Sequence, residues 1–301
     1  MKVKPPNHLF RVGTDNDRTQ YRNQRRQELR AFVEPRSRLA SAIAGDAIVS
    51  MSRDDGYAVC ASGSVAGTEE LVAFARDSVE RVDLVAKKAD ANKPFMVKLL
   101  DMKGMTLESP LLRFALRRDI VATAASYLGV VPILQYANVM YSSEAGGEFS
   151  KSQLYHCDSD ESEQVKIFVL CGPVTPSEGP LTFMPASQSQ QVRVRVSYRY
   201  KHRLTDEQVQ AASADSLREV ALTGPAGTLA FLDTSRCLHY GSRISAPDAR
   251  RLVVMLQYIT PSAFILPNYP AGTTFGALAP SGRDAIEQLV LGAPDVGEIR
   301  S

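Results

Sequence analysis

Two histidines and one aspartate have residue types and spacing suited to binding a metal ion. His156 and Asp158 are two positions apart in LYHCD, and residues at i and i+2 of an extended segment lie on one face. Both side chains can therefore reach one metal ion while Cys157 points away. His239, which ends GTLAFLDTSRCLH, is the predicted third ligand from a neighbouring strand. Two histidines and one carboxylate leave metal positions open for a co-substrate and O2, as in non-haem Fe(II) oxygenases.

Two cations along the chain are predicted to bind the co-substrate. Arg250 follows His239 by eleven positions and begins the apolar run RRLVVMLQY. A buried arginine needs an anionic partner, and the distal carboxylate of 2-oxoglutarate fits its planar fork. Arg251 points the opposite way if the run is a strand, and the spacing favours Arg250 as the inward residue. Lys166, inside QVKIFVL, is a second candidate contact, with an alternative in which its ammonium reaches the sheet edge.

The elements that must position these residues are predicted to be short antiparallel strands. From about residue 131, short apolar runs are separated by clusters of Gly, Pro, Ser and Asp. This spacing is typical of a β-sandwich or a jelly roll. The runs are VVPILQYANVMY, SQLYHCD, QVKIFVLC, GPLTFMP, QVRVRVSYRY, GTLAFLD and RRLVVMLQY.

Helices are predicted mainly before the strands. Residues 69–85 and 109–129 have apolar residues recurring at three and four positions, which favours amphipathic helices. A strand is predicted at DGYAVC, a helical insertion at about 204–220, and a short terminal helix around GRDAIEQLVLG. The predicted fold class is therefore α+β or mainly β, with a jelly-roll core and flanking helices.

The order of these motifs resembles the phytanoyl-CoA dioxygenase family of Fe(II)/2-oxoglutarate oxygenases. The resemblance covers roughly residues 50–260 and includes DGYAVC, SYLG, HCD, EGPLTFMPASQ, GPAGTLAFLDTSRCLHYGS and RRLVVMLQY. It implies a double-stranded β-helix (cupin-like) core. It also implies that His156, Asp158 and His239 bind Fe(II), that Arg250 anchors 2-oxoglutarate, and that O2 is the oxidant.

The sequence departs from the family pattern at two places. Ala186 and Gln188 stand where the family often has Gly and His, and the usual Asn after the distal histidine is absent. These departures concern the substrate class more than the metal chemistry. Asp158 disfavours a halogenase, because such an enzyme has a small residue there to admit halide.

The sequence also predicts a domain organisation. Residues 1–45 are expected to form a basic helical arm, 46–262 the dioxygenase domain, and 263–301 a C-terminal extension packed on the same domain. The first 40 residues contain ten Lys/Arg against four Asp/Glu. Such an arm can contact nucleic acid or anionic lipid, and the simpler interpretation is a solvated helical face.

Composition excludes several other classes of protein. The chain has 301 residues, of which 44% are hydrophobic and 23% charged, as in ordinary globular proteins. No run approaches the roughly 18 apolar residues of a membrane span, and the first residues lack the apolar centre of a signal peptide, so a cytoplasmic location is expected. The four cysteines show no CxxC spacing, which predicts reduced, buried thiols; they are Cys60, Cys157, Cys171 and Cys237.

The predicted function is oxidation of an unactivated C–H bond in a small, anionic metabolite, with release of succinate and CO2. In QQVRVRVSYRYKHR, apolar residues alternate with Arg193, Arg195 and Arg199, which predicts a strand with one basic, substrate-binding face. A solvated edge strand and a helix are the alternatives. The sequence leaves the oligomeric state open.

Two other functions are weighed against this one. A non-catalytic cupin-like binding module is disfavoured by the intact metal-ligand set. A nucleic-acid demethylase is disfavoured because that branch carries two arginines six positions apart on its last strand. Here Leu256 and Gln257 lie six positions beyond Arg250 and Arg251, so nucleic acid is not an expected partner.

Overall fold

The computed structural model describes residues 9–143, 147–213, 217–279 and 283–294. Helices make up most of the first 128 residues. They are α1 (Leu9–Val12), α2 (Asp15–Glu28), α3 (Arg30–Ala42), α4 (Thr68–Glu80), α5 (Leu84–Ala89), α6 (Pro110–Ala115) and α7 (Arg118–Leu128). Three more helices follow, namely α8 (Ala186–Arg195), α9 (Asp206–Ala212) and α10 (Ala285–Leu291).

The two long predicted helices are present with altered bounds. The first, α4, ends at Glu80, and the separate helix α5 follows it. The second is divided into α6 and α7, because the backbone at Arg117 is extended with ψ 134°. The Arg117 guanidinium donates to the carboxylate of Asp119 at 2.6 Å, in the first turn of α7. The helix predicted near the C-terminus is confirmed as α10.

The strands form two antiparallel sheets. They are β1 (Tyr57–Cys60), β2 (Val97–Lys98), β3 (Ile133–Ser142), β4 (Val165–Leu170), β5 (Thr182–Phe183), β6 (Val220–Ala221), β7 (Leu229–Leu232), β8 (His239–Tyr240) and β9 (Arg251–Ile259). The larger sheet has the order β1-β7-β4-β9-β3-β2, and the smaller has the order β6-β5-β8. Together with the flanking helices they give the predicted jelly-roll class of fold.

Alternation along β9 separates the packed core from a cavity. Val254, Leu256 and Tyr258 are fully buried in the main hydrophobic core. Arg251, Val253 and Met255 have the opposite parity and line a cavity. This is the side-chain arrangement expected for a sheet with one face under helices and the other facing a site.

The strand predicted for QVRVRVSYRY is wrong, because Ala186–Arg195 forms helix α8. The buried residues Ser189, Val192 and Arg193 follow helical spacing, while Val194 is 69% exposed. The first turn of α8 is fixed by backbone hydrogen bonds from Ala186 and its neighbour to the Asp54–Asp55 carbonyls. Tertiary contacts thus override the alternating pattern of Val and Arg.

The basic N-terminal segment is packed against the rest of the molecule at two arginines. Arg18 is 2% exposed and Arg36 is fully buried. The Arg36 guanidinium donates to the carbonyls of Val131 and Leu289 and to the hydroxyl of Tyr269, each at 3.0 Å. These bonds tie α3 to the segment before β3 and to α10. The solvated helical face, expected for residues 18–33, is therefore wrong at Arg18.

Within the described residues, no helix combines the length and apolar character needed to cross a membrane.

Candidate metal centre

The segment containing His156 and Asp158 is extended and pairs directly with β8. His156 and His239 form an isolated antiparallel bridge, in which each backbone N–H donates to the other residue's carbonyl at 3.0 Å. Two residues further along the same segment, the backbone N–H of Asp158 donates to the carbonyl of Thr234 at 2.8 Å. The three predicted ligands are thus brought together from segments about 80 residues apart in the sequence.

The potential ligand atoms of His156, Asp158 and His239 all lie within 4.8 Å of one another. Nε2 of each histidine lies 3.9 Å from a carboxylate oxygen of Asp158. The two imidazole rings have centroids 4.2 Å apart. Each histidine is 5% exposed, so the group is buried except on its cavity side. This geometry suits a single metal ion.

The hydrogen bonds of the two histidines fix which ring nitrogen is free. Nδ1 of His156 lies 2.9 Å from the Leu154 carbonyl, and Nδ1 of His239 lies 2.9 Å from the Cys237 carbonyl. Because a carbonyl oxygen only accepts, each Nδ1 carries the proton and each Nε2 keeps a lone pair directed toward Asp158.

The charge states of the three groups also suit metal binding. Burial lowers the pKa of both histidines, and the proximity of His239 lowers the pKa of His156 further. Burial would raise the pKa of Asp158, but Lys166 and the two histidines outweigh it, so the pKa lies below its ordinary value. At neutral pH the set therefore consists of two neutral imidazoles and one carboxylate.

Lys166 lies on β4 and contacts the metal-ligand set. Its Nζ is 2.7 Å from Oδ2 of Asp158, and the two side chains are 12% and 19% exposed. Burial would lower the pKa of Lys166, but Asp158 and Asp160 raise it above its ordinary value. The alternative in which Lys166 reaches the sheet edge is therefore wrong; the ammonium lies inside the cavity.

Of the two adjacent arginines, the structure directs Arg251 inward. Arg251 is 6% exposed and lines the cavity, and it pairs with Ser142 across the β3–β9 register. Arg250 is exposed, and its guanidinium donates to the carbonyls of Pro247 and Ala249. The expectation that Arg250 faces the cavity is thus wrong by one residue, because Arg251 alternates with Val253 and Met255, which also line the cavity.

The Arg251 guanidinium is held by two neighbours and has one nitrogen left. It donates to the Gly179 carbonyl and to the Ser242 hydroxyl, each at 2.6 Å. Its buried Nε has no hydrogen-bond partner among the described residues. Burial lowers the pKa of Arg251 to about 10. Gly179 has φ +62°, and a Cβ there would lie 2.6 Å from the Arg243 backbone, so this carbonyl position requires glycine.

The cavity beside the three candidate ligands has a volume of about 130 Å³. Its wall is mostly apolar. Besides the ligands, Lys166 and Arg251, the lining includes Lys93, Met96, Met140, Ser152, Phe168, Leu170, Leu181, Leu222, Gly241, Val253 and Met255. A small space with three cations, Lys93, Lys166 and Arg251, in an otherwise apolar wall is suited to a small anionic molecule.

A larger open cleft of about 960 Å³ adjoins this cavity. The two spaces share five lining residues, namely Lys93, Met96, Met140, Lys166 and Met255. The outer part of the cleft is formed by α5, the segment after it, and β2. The cleft therefore offers a route and a binding surface for a second, larger molecule.

The predicted substrate residues Arg193, Arg195 and Arg199 lie elsewhere, and none of them lines the cavity or the cleft. Arg193 is 7% exposed and pairs with Asp15 at 3.2 Å. Arg195 donates to a backbone carbonyl of α9, and Arg199 to the carbonyls just before it. The expectation of a basic strand face at the site is wrong, because the segment is helical up to Arg195 and irregular after it.

The sequence did not reveal two features of the site, namely the inward direction of Arg251 and the position of Lys93. Gln257 is the polar residue within the apolar run of β9, and its side chain points to the same face as Arg251. This alternation could have identified the inward arginine. No spacing signal marks Lys93, which is brought to the site by the irregular segment between α5 and β2.

Comparison with solved structures identifies relatives of the fold. EctD from S. alaskensis with bound Fe matches with TM-score 0.51 and 21% identity, covering 72% of this chain and 79% of that chain. The epimerase SnoN from nogalamycin biosynthesis, described as α-ketoglutarate-dependent, matches with TM-score 0.44 and 18% identity over 75% of this chain and 84% of that chain. At these identities the EctD match establishes a shared fold. No protein-family model and no curated protein matched the sequence.

Proposed function

We propose that this chain is an Fe(II)- and 2-oxoglutarate-dependent oxygenase, with His156, Asp158 and His239 as the metal ligands. The observation that carries the proposal is the convergence of two unprotonated imidazole nitrogens and one ionised carboxylate within 4.8 Å. This donor set is the facial triad of non-haem Fe(II) oxygenases. The shared fold with EctD, a structure solved with bound Fe, supports the choice of metal.

The surroundings of the three ligands support the same assignment. Each histidine donates its Nδ1 proton to a backbone carbonyl, which fixes the tautomer and ring orientation that a metal ligand requires. Lys166 holds one oxygen of Asp158 and keeps the carboxylate ionised and oriented. When bound, iron(II) with 2-oxoglutarate supplies the activation of O2.

Arg251 is the proposed anchor for 2-oxoglutarate. Its guanidinium is buried in an apolar cavity and has no acidic partner among the described residues. A carboxylate bound in the cavity would provide the missing countercharge and accept from the guanidinium. The apolar walls exclude water from the bound co-substrate and so strengthen this pairing.

The reaction proposed is hydroxylation of an unactivated C–H bond of a small metabolite bound in the outer cleft. The chain's part is to orient the co-substrate, exclude water and present one substrate carbon to the metal position. The order of motifs supports placement in the phytanoyl-CoA dioxygenase family. We assign the oxygenase domain to residues 46–262, with the arm 1–45 before it and the extension 263–301 after it.

The proposal is tested by loading the protein with Fe(II) and 2-oxoglutarate without oxygen, admitting O2, and measuring succinate. We expect succinate from the wild type, none from His239→Ala, and little from Arg251→Met at low 2-oxoglutarate. Arg250→Met is the matched control and should behave as the wild type. Metal-independent succinate release, or full activity of His239→Ala, would contradict the proposal.

A further inference from the structure

We propose that the substrate oxidised at this site is an anion, and that its carboxylate or phosphate pairs with Lys93. This inference rests on the proposed function and adds to it the chemical class of the substrate.

Lys93 lies where the inner cavity and the outer cleft meet, since it lines both. Lys166 is the other lysine shared by the two spaces, and its ammonium is already paired with Asp158 at 2.7 Å. The Lys93 side chain has no hydrogen bond or ion pair with any residue that the structure describes. Lys93 is partly buried. Its ammonium is therefore available to pair with a bound molecule at this junction.

The electrostatic surroundings of Lys93 are positive. Burial lowers its pKa, Asp158 opposes that shift, and the charges of Lys166, Arg203 and Lys151 lower the pKa further. Asp158 is also a proposed metal ligand, so a bound dication would cancel its contribution. The region would then attract an anion more strongly than in the metal-free protein.

Lys151 and Arg203, which lower the pKa of Lys93, are not neutralised by the described residues. The Lys151 ammonium donates to the Asn92 side chain at 2.8 Å, on the segment that carries Lys93. The Arg203 guanidinium donates to the His202 carbonyl at 2.8 Å, and its charge lowers the pKa of both His156 and His239. Neither cation has a carboxylate partner among the described residues. Both reinforce the attraction of Lys93 for an anion.

The primary substrate suits Lys93 better than the co-substrate does. The proposed function already gives 2-oxoglutarate two contacts, the metal and Arg251. Met96, Met140 and Met255 line the same junction and form an apolar neck of flexible side chains. An aliphatic carbon in this neck, with an anionic group at Lys93, would be held beside the metal position.

The test uses the protein loaded with Co(II) and 2-oxoglutarate, whose visible spectrum reports substrate binding. Octanoate and octyl phosphate are compared with their neutral counterparts, octanamide and 1-octanol. We expect the anions to bind at least about 10-fold more tightly than the neutral compounds. Lys93→Met and Lys93→Gln should each remove this preference, while the affinity for 2-oxoglutarate stays within about 2-fold of the wild type.

Lys103→Met is the control, because Lys103 is exposed and lines neither the cavity nor the cleft. This variant should keep the preference for anions. Equal binding of neutral compounds, binding of neither anion, or a preference that survives in the Lys93 variants would overturn the inference. Loss of 2-oxoglutarate binding in those variants would instead assign Lys93 to the co-substrate. A wild type that binds neither Co(II) nor 2-oxoglutarate would overturn the proposed function itself.

Discussion

His156 and His239 are joined by two reciprocal backbone hydrogen bonds of 3.0 Å, which place their imidazole rings 4.2 Å apart. The same extended segment carries Asp158, whose carboxylate lies 3.9 Å from both Nε2 atoms. Backbone hydrogen bonds therefore position all three proposed ligands. Little conformational entropy remains to be lost when a metal ion binds.

Replacing Arg251 by Met should weaken 2-oxoglutarate binding by about 10-fold to 100-fold, because a charge-assisted pair contributes roughly 1.5–3 kcal/mol. Isothermal titration with the Co(II)-loaded protein would measure the change. Arg250→Met serves as the control and should bind 2-oxoglutarate as the wild type does. A larger loss in Arg250→Met than in Arg251→Met would contradict the inward direction of Arg251.

Replacing Lys166 by Met should destabilise the metal-free protein by about 2–3 kcal/mol. Breaking a fully buried ion pair costs roughly 3–5 kcal/mol, and Asp158 keeps some contact with solvent. Chemical denaturation would measure the free energy of unfolding. The double variant Lys166→Met/Asp158→Asn should recover part of the loss, since it leaves no unpaired charge.

Metal should stabilise Lys166→Met more than it stabilises the wild type, because the dication supplies the countercharge that Asp158 has lost. Melting temperatures measured with and without Co(II) would detect this difference. Equal stabilisation of the two proteins would argue that Lys166 and Asp158 do not interact in solution.

Glu161 should make the stability depend on pH. Burial raises the pKa of this carboxyl from its ordinary value of 4.5 to about 7. Two hydrogen bonds donated by Thr260 oppose this shift but do not cancel it. A carboxyl with a raised pKa stabilises the folded state at low pH, and this contribution is lost as the pH rises from about 4.5 through about 7. Glu161→Gln mimics the protonated form, and its amide can keep both contacts with Thr260.

The Glu161→Gln variant should therefore match the wild type near pH 5 and exceed its stability by about 1–2 kcal/mol at pH 8. Thermal denaturation of the metal-free proteins at the two pH values would check this. Asp233, whose pKa is also raised to about 7 by burial, leaves a residual pH dependence in both proteins. A variant less stable than the wild type at pH 8 would contradict the assignment.

Arg36→Met should destabilise the protein by about 3 kcal/mol or more, because it leaves several buried carbonyls without a donor. Arg36 is fully buried and its guanidinium joins α3 to the Leu289 and Val131 carbonyls. Arg30→Met removes an exposed arginine of the same helix and should have little effect. Similar losses in both variants, measured by urea denaturation, would contradict a structural role for Arg36.

Much of the fold was predictable because each strand carries its own apolar pattern. The strands β3, β4, β5, β7 and β9 coincide with predicted runs, whereas β6 and β8 lie outside them. The run SQLYHCD forms only isolated bridges, and the run QVRVRVSYRY begins in helix α8. The prediction failed at α8 because QVRVRV has the period of a strand, while Ser189, Val192 and Arg193 are buried with helical spacing. Contacts with residues distant in sequence decide whether this segment forms a strand or a helix.

The site was partly predictable for a related reason. A two-residue spacing is enough to place His156 and Asp158 on one face of an extended segment. The direction of Arg251 depends on the pairing register of β9, and a register shift of one residue would turn every side chain of the strand to the opposite face. The position of Lys93 depends on an irregular segment, for which the sequence provides no periodicity.

The most direct test of the account is the metal content of the purified protein after equilibration with Fe(II) or Co(II) under anaerobic conditions. Elemental analysis of the wild type should give one metal ion per chain, and the Co(II) spectrum should change when 2-oxoglutarate is added. His156→Ala and His239→Ala should each lose most of the bound metal, whereas His202→Ala, a histidine outside the proposed ligand set, should retain it. One metal ion per chain in both ligand variants would contradict the assignment of His156, Asp158 and His239 as the metal centre.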